Sequence, residues 1–138
     1  MDMNRYLLDT NAVIALLVGN PALNALIANA EWVGISVIAK LEFLSFPGIQ
    51  EADIALFSEF ESRVDVIDIA NSDMQLINQS IRYRREKNLK LPDALIIAGG
   101  SVNQARVLTA DRQLLNQFPE QTMAFDAACP PVTGGSSP

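Results

Sequence analysis

Any chemistry in this chain must run on carboxylates. The sequence contains no histidine and a single cysteine, Cys129. That excludes Ser-His-Asp and Cys-His catalysis, a histidine general base, His- or Cys-ligated zinc and an internal disulfide. Four acids stand out by where they fall. Asp9 ends the apolar run "RYLLD", and Asp111 ends "ARVLTAD". Asp93 follows Pro92 at the mouth of "KLPDALIIAGG", and Glu42 lies inside "SVIAKLEFLSFPG". Together they would make an all-oxygen donor set suited to a hard cation such as Mg2+ or Mn2+. Such an ion activates water and steadies the charge of a phosphodiester under attack.

Each acid also has a plainer account. Asp9 and Asp111 each precede a helix and suit N-caps. Asp93 sits in a first turn after proline, where the helix dipole favours an acid by roughly 0.3–1 kcal/mol. We expect it to cap its helix and to serve the site as well. Glu42 shares a helical face with Ile38, Leu41 and Ser45, so it borders the inward apolar face, where an unpaired acid is costly. Exposure, or pairing with Lys40 or Arg112, would account for it otherwise. Convergence weighs against four unrelated roles. Three of the acids follow apolar runs that must be buried, and two come from strand ends predicted to be neighbours. Two carboxylates about 4 Å apart repel by about 4 kcal/mol at an effective dielectric of 20. A fold that gathers them usually holds a cation there.

The elements that must position these residues are marked by apolar runs and turn residues. Strands are expected at 5–9, 32–36, 64–69, 105–111 and in "TMAFD" near the end. Helices are expected in "NAVIALLVGN", stopped by Gly19-Asn20, in "PALNALIANA" opened by Pro21, and in "SVIAKLEFLSFPG" between a Ser36 cap and Pro47-Gly48. Further helices are expected in "IQEADIALFSEFESR", "NSDMQLINQSIRYRREKN", "PDALIIAGGSVNQ" and "RQLLNQF". Alternation of apolar strands with helices predicts a parallel α/β sheet covered on both faces. In an open sheet of this kind ligands bind beyond the carboxyl ends of the strands, near the switch in strand order. Asp9 and Asp111 reach that rim from strand ends, and Asp93 reaches it from the side through a right-handed crossover.

The 138 residues suggest one domain, 1–126, and a Pro/Gly/Ser-rich tail, 127–138, "CPPVTGGSSP" included. Hydrophobic residues make up 49% and charged residues 19%, enough apolar material for a real core. No run approaches the roughly 18 apolar residues of a membrane span, and Asp9 and Asn11 interrupt the apolar N-terminal segment, so a cytoplasmic protein is expected. The net charge of −6 makes the chain as a whole a poor nonspecific partner for polyanions. The charge is uneven, however. Five of the ten basic residues, Arg82, Arg84, Arg85, Lys87 and Lys90, fall in "RYRREKNLK" just before Asp93. They suit either a solvated helix face or a strip that contacts phosphates.

"YLLDTNAVIALL", "SVIAKLEFLS", "LKLPDALIIAGG" and "VLTADRQLL", in this order and spacing, resemble a PIN-domain ribonuclease, and more narrowly a VapC-type toxin of a bacterial toxin–antitoxin pair. The resemblance runs up to about Phe125. It implies a three-layer α/β/α fold with a central, mostly parallel sheet, and a site for one or two Mg2+ or Mn2+ ions built by Asp9, Glu42, Asp93 and Asp111. It implies metal-dependent endonucleolytic cleavage of RNA that leaves 5′-phosphates. Asn11 and Thr109 match the polar helpers of the family motifs. It further implies a homodimer held inactive by an antitoxin lying across the active-site groove. Gly99-Gly100 departs from the family pattern and requires either close helix packing or a kink.

Other readings fit less well. A haloacid-dehalogenase-type phosphatase needs Asp-x-Asp, and Asn11 stands at the third position. A receiver domain needs an early acidic pair that is absent, although "VDVIDI" offers Asp68. A dinucleotide-binding enzyme would carry G-x-G-x-x-G after the first strand. A PIN-like protein-binding module with little nuclease activity is the rival from another class, though all four acids are intact.

Overall fold

The computed structural model describes residues 4–125. The tail, Cys129 and the last residue of the "TMAFD" run lie outside them. Five strands, β1 (Arg5–Leu8), β2 (Trp32–Ser36), β3 (Asp65–Ile67), β4 (Arg106–Leu108) and β5 (Thr122–Met123), form one sheet in the order β3-β2-β1-β4-β5. Every pairing is parallel. The chain starts in the middle, winds outward through β2 and β3, then returns to place β4 on the other side of β1. The strand order therefore switches between β1 and β4, where Leu8 is in register with Leu108.

Among the described residues seven helices cover the sheet: α1 (Thr10–Leu17), α2 (Pro21–Ala28), α3 (Val37–Leu44), α4 (Glu51–Glu61), α5 (Met74–Lys87), α6 (Leu91–Val102) and α7 (Arg112–Gln117). Alternation along β1 divides the core. Tyr6 and Leu8 join one cluster with Ala12, Val13, Leu23, Ala39 and Phe57, from α1 to α4. Leu7 joins the other with Ala94, Ile96, Ile97 and Leu114, from α6 and α7. This is the expected three-layer α/β/α fold. Among the described residues no single helix is long and apolar enough to cross a membrane.

Local chemistry sets the helix ends. The side chains of Asp9, Asn20, Ser36, Asp73 and Asp111 each accept a hydrogen bond from a first-turn amide. The α5 helix ends at Asn88, whose left-handed backbone (φ 55°) lets the chain turn into α6. Boundaries differ from expectation in two useful places. The α3 helix stops at Leu44, before Pro47-Gly48, with the Ser45 hydroxyl donating to the Leu41 carbonyl. The β4 strand stops at Leu108, so Thr109, Ala110 and Asp111 form a connecting loop.

Gly99-Gly100 reflects close packing, with α6 running through both residues. A Cβ on Gly100 would meet Val107 Cγ2 at 2.8 Å and the Ala105 backbone oxygen at 3.0 Å, while one on Gly99 would meet only a Leu7 methyl at 3.3 Å. Overpacking against backbone costs about 1–3 kcal/mol, against a helix-propensity gain of up to about 1 kcal/mol. Gly100→Ala should therefore lower stability in urea denaturation, and Gly99→Ala should leave it near the parent value. A Gly100→Ala protein as stable as the parent would show that α6 can move away from β4 freely.

Candidate active site

The rim above β1 and β4 is built from hydrogen bonds that join two loops. The Asp9 amide donates to the Leu108 carbonyl at 3.0 Å, extending the parallel ladder by one step. Asp9 then caps α1, with Oδ1 accepting from the Thr10 amide at 2.9 Å. Its Oδ2 accepts from the fully buried Thr109 hydroxyl at 2.8 Å. The same hydroxyl oxygen accepts from the Asp111 amide at 3.0 Å, and Asn11 Oδ1 accepts from the Ala110 amide at 3.0 Å. Thr109 and Asn11 thus tie the β4–α7 loop to the start of α1. Asp111 caps α7, its Oδ1 accepting from the amides of Gln113 at 2.9 Å and Leu114 at 3.2 Å.

Asp93 differs from the expected cap. The N-cap of α6 is Lys90, and no side chain hydrogen-bonds the first turn there. Asp93 is a half-buried first-turn acid with no hydrogen-bond partner among the described residues. Glu42 also departs from expectation. It lies on the solvent side of α3, beside the exposed Leu41 and Ser45, and not against the core. Lys40 pairs with Glu61 at 2.6 Å instead of with Glu42. The Glu42 carboxylate accepts a short hydrogen bond from the Thr10 hydroxyl. Thr10 is the residue that sequence reasoning missed. It holds Asp9 through its amide and Glu42 through its hydroxyl. Its one signal was a hydroxyl residue at the first position of a helix capped by an acid.

Electrostatics place the four acids in one field. Burial pushes the Asp9 carboxyl above its ordinary range. The charges of Asp93 and Glu42 add to that, and the hydrogen bonds from Thr109 and Thr10 offset it. Burial also raises Asp93, reinforced by Asp111 and Glu42 and offset by Lys90. None of the four acids forms a salt bridge among the described residues. This donor set, all oxygen and mutually repelling, fits a hard divalent cation in its chemistry. The set is open. Among the described residues no three acidic side chains lie close enough to hold one ion between them.

Beside the rim lies an apolar groove of about 230 Å³, lined by Thr10 and Glu42 together with Ile14, Leu17, Phe43, Phe46 and Leu56. Phe46 is 61% exposed, an unusual state for a phenylalanine in so small a fold.

A carboxyl raised by folding costs nothing below its unfolded-state value. The cost grows as pH rises toward the folded-state value and persists above it. In the metal-free protein, Asp93→Asn should therefore gain stability relative to the parent as pH rises from below the ordinary value of 3.8 toward neutrality. Urea midpoints of both proteins in chelator across that range measure it. A difference that is flat with pH would show that Asp93 ionises without strain.

A PIN-domain family model matches residues 6–119. No curated protein matches the chain. Among solved structures, a chain of a toxin–antitoxin complex from Klebsiella pneumoniae superposes with a TM-score of 0.70 at 25% identity, over 86% of this chain and 95% of that one. A chain of VapBC2 from Rickettsia felis, bound to a DNA fragment from its promoter, gives 0.71 at 20% identity over 88% and 99%. A chain of FitAcB from Neisseria gonorrhoeae gives 0.56 at 20% identity over 87% and 96%. With a family model spanning most of its length, and its rim of acids at the β1–β4 switch, the chain belongs to the PIN-domain family.

Proposed function

We propose that this PIN-domain protein is a metal-dependent endoribonuclease and the toxin of a toxin–antitoxin pair. The observation that carries the reading is the rim itself. Asp9, Glu42, Asp93 and Asp111 come from four separate segments; Asp93 and Glu42 bear on Asp9, and Asp111 and Glu42 bear on Asp93, with no salt-bridged cation among the described residues. Asp9, Asp93 and Asp111, completed by Glu42, would hold Mg2+ or Mn2+. The ion supplies Lewis acidity, which makes water nucleophilic near neutral pH and offsets charge at the phosphate. Thr109 and Thr10 fix both oxygens of Asp9, and Thr10 simultaneously orients Glu42 toward the same rim. Asn11 holds the loop that presents Asp111.

The toxin part of the proposal rests on the likeness to chains of toxin–antitoxin complexes and on the groove. An antitoxin segment seated among Ile14, Phe43 and Phe46 would also cover Thr10 and Glu42, so one partner would mask both surfaces. The proposal includes a homodimer. The groove and the open arrangement of the acids also favour a second reading, a PIN-like binding module with little nuclease activity.

Purified protein, free of any partner, should cut cellular RNA into discrete fragments in Mn2+ or Mg2+, not in EDTA, and Asp93→Asn should abolish the fragments. Intact RNA in every lane from folded protein would favour the binding module. Millimolar Mn2+ should also raise the melting temperature of the parent, with about 2.7 kcal/mol of stabilisation at a hundredfold excess over Kd, and leave Asp93→Asn almost unmoved. Equal shifts in both proteins would place the ion elsewhere.

A further inference from the structure

We propose that Arg84, Arg85, Lys87 and Lys90 form the surface that receives the phosphate backbone of single-stranded RNA at the acidic rim. The inference rests on the nuclease reading above and adds to it the side from which the substrate arrives. All four side chains are exposed, in a chain whose net charge is −6. None of them forms a salt bridge among the described residues. Arg82, the fifth basic residue of the stretch, is engaged within its own helix. It donates to Gln79 at 3.1 Å and lies over the Tyr83 ring at 5.7 Å, which leaves four residues for a ligand.

Their segment leads directly into the site. Arg84, Arg85 and Lys87 occupy the last turn of α5. Left-handed Asn88 turns the chain, and buried Leu89 anchors that turn in the core. Lys90 then begins α6 three residues before Asp93, close enough for its charge to act on that carboxyl. A cation or two would satisfy the carboxyl end of α5, and the three there exceed that need. The first turn of α6 adds amides that no side chain caps, and such amides favour phosphate. From Arg84 to Lys87 the helix rises roughly 5 Å, a span suited to neighbouring phosphates on one strand.

The test uses the full chain carrying Asp93→Asn, which keeps RNA uncut, and a labelled single-stranded RNA of mixed sequence. Binding is measured by fluorescence anisotropy across a salt series. Each phosphate neutralised on a single strand contributes about 0.7 to the slope of log affinity against log salt. Adding Arg84→Gln, Arg85→Gln, Lys87→Gln and Lys90→Gln should flatten the slope by up to about 3 and weaken binding most at low salt. Arg84→Lys with Arg85→Lys should preserve the slope, which separates charge from folding. Arg63→Gln with Arg106→Gln, at the amino ends of the strands and so at the opposite end of the sheet from the rim, should change it little. An unchanged slope in the four-residue variant, or an equal loss in the Arg63/Arg106 pair, overturns the assignment. Failure of the nuclease reading is seen separately, as uncut RNA when the Asp93 parent is given Mn2+.

Discussion

The structure depends on a strand that must be hidden on both sides. Leu7 and Leu8 are both fully buried and point to opposite faces of β1. Neither face can be left to water, so helices must cover both, and β1 must run in the middle of the sheet. A central first strand forces the later chain to cross over and pair β4 on its free edge. That crossover creates the switch in strand order, and Asp9 stands one residue beyond the last buried position of β1. The site is thus a by-product of burying two leucines back to back.

The acids at the switch are held against their own repulsion by ordinary backbone satisfaction. Asp9 and Asp111 cap the helices that follow them, and those capping bonds would be wanted in any protein of this shape. Capping uses one oxygen of each carboxylate, Oδ1 in both, and leaves the second uncommitted to the helix. In Asp9 that second oxygen takes the Thr109 hydroxyl, whose oxygen in turn accepts the Asp111 amide. The plain and the functional accounts of these residues are therefore two halves of the same side chain.

This explains how much could be read without coordinates. The fold class and the neighbouring of Asp9 and Asp111 were legible, because two-sided burial and the strand-end position of both acids leave few alternatives. The ends of β4 and α3 were less so. Thr109 leaves the strand because its hydroxyl turns back to serve Asp9 and the Asp111 amide, a tertiary bond with no local signature. The α3 helix carries apolar residues on more than one side, Leu41 being 60% exposed, so periodicity alone assigned Glu42 to the wrong face. Asp93 looked like a cap because its position in the first turn permits one, and only coordinates reveal that its carboxylate caps nothing. The groove was invisible for a similar reason, since Ile14, Phe43 and Phe46 read as core residues whether or not a partner must complete their burial.

The close seat of α6 bears on more than packing. Gly100 lies against β4 with no room for a side chain, and Asp93 sits near the other end of the same helix. Seven residues of helix separate them, roughly 10 Å along a stiff rod. Gly100 therefore works as the fulcrum of a lever whose far tip carries a rim carboxylate. Raising the fulcrum by a fraction of an ångström tilts the tip by a comparable amount, which is the scale on which ligand geometry is won or lost. The alignment of the site is in part decided at the end of α6 remote from it, by a residue that bears no side chain at all.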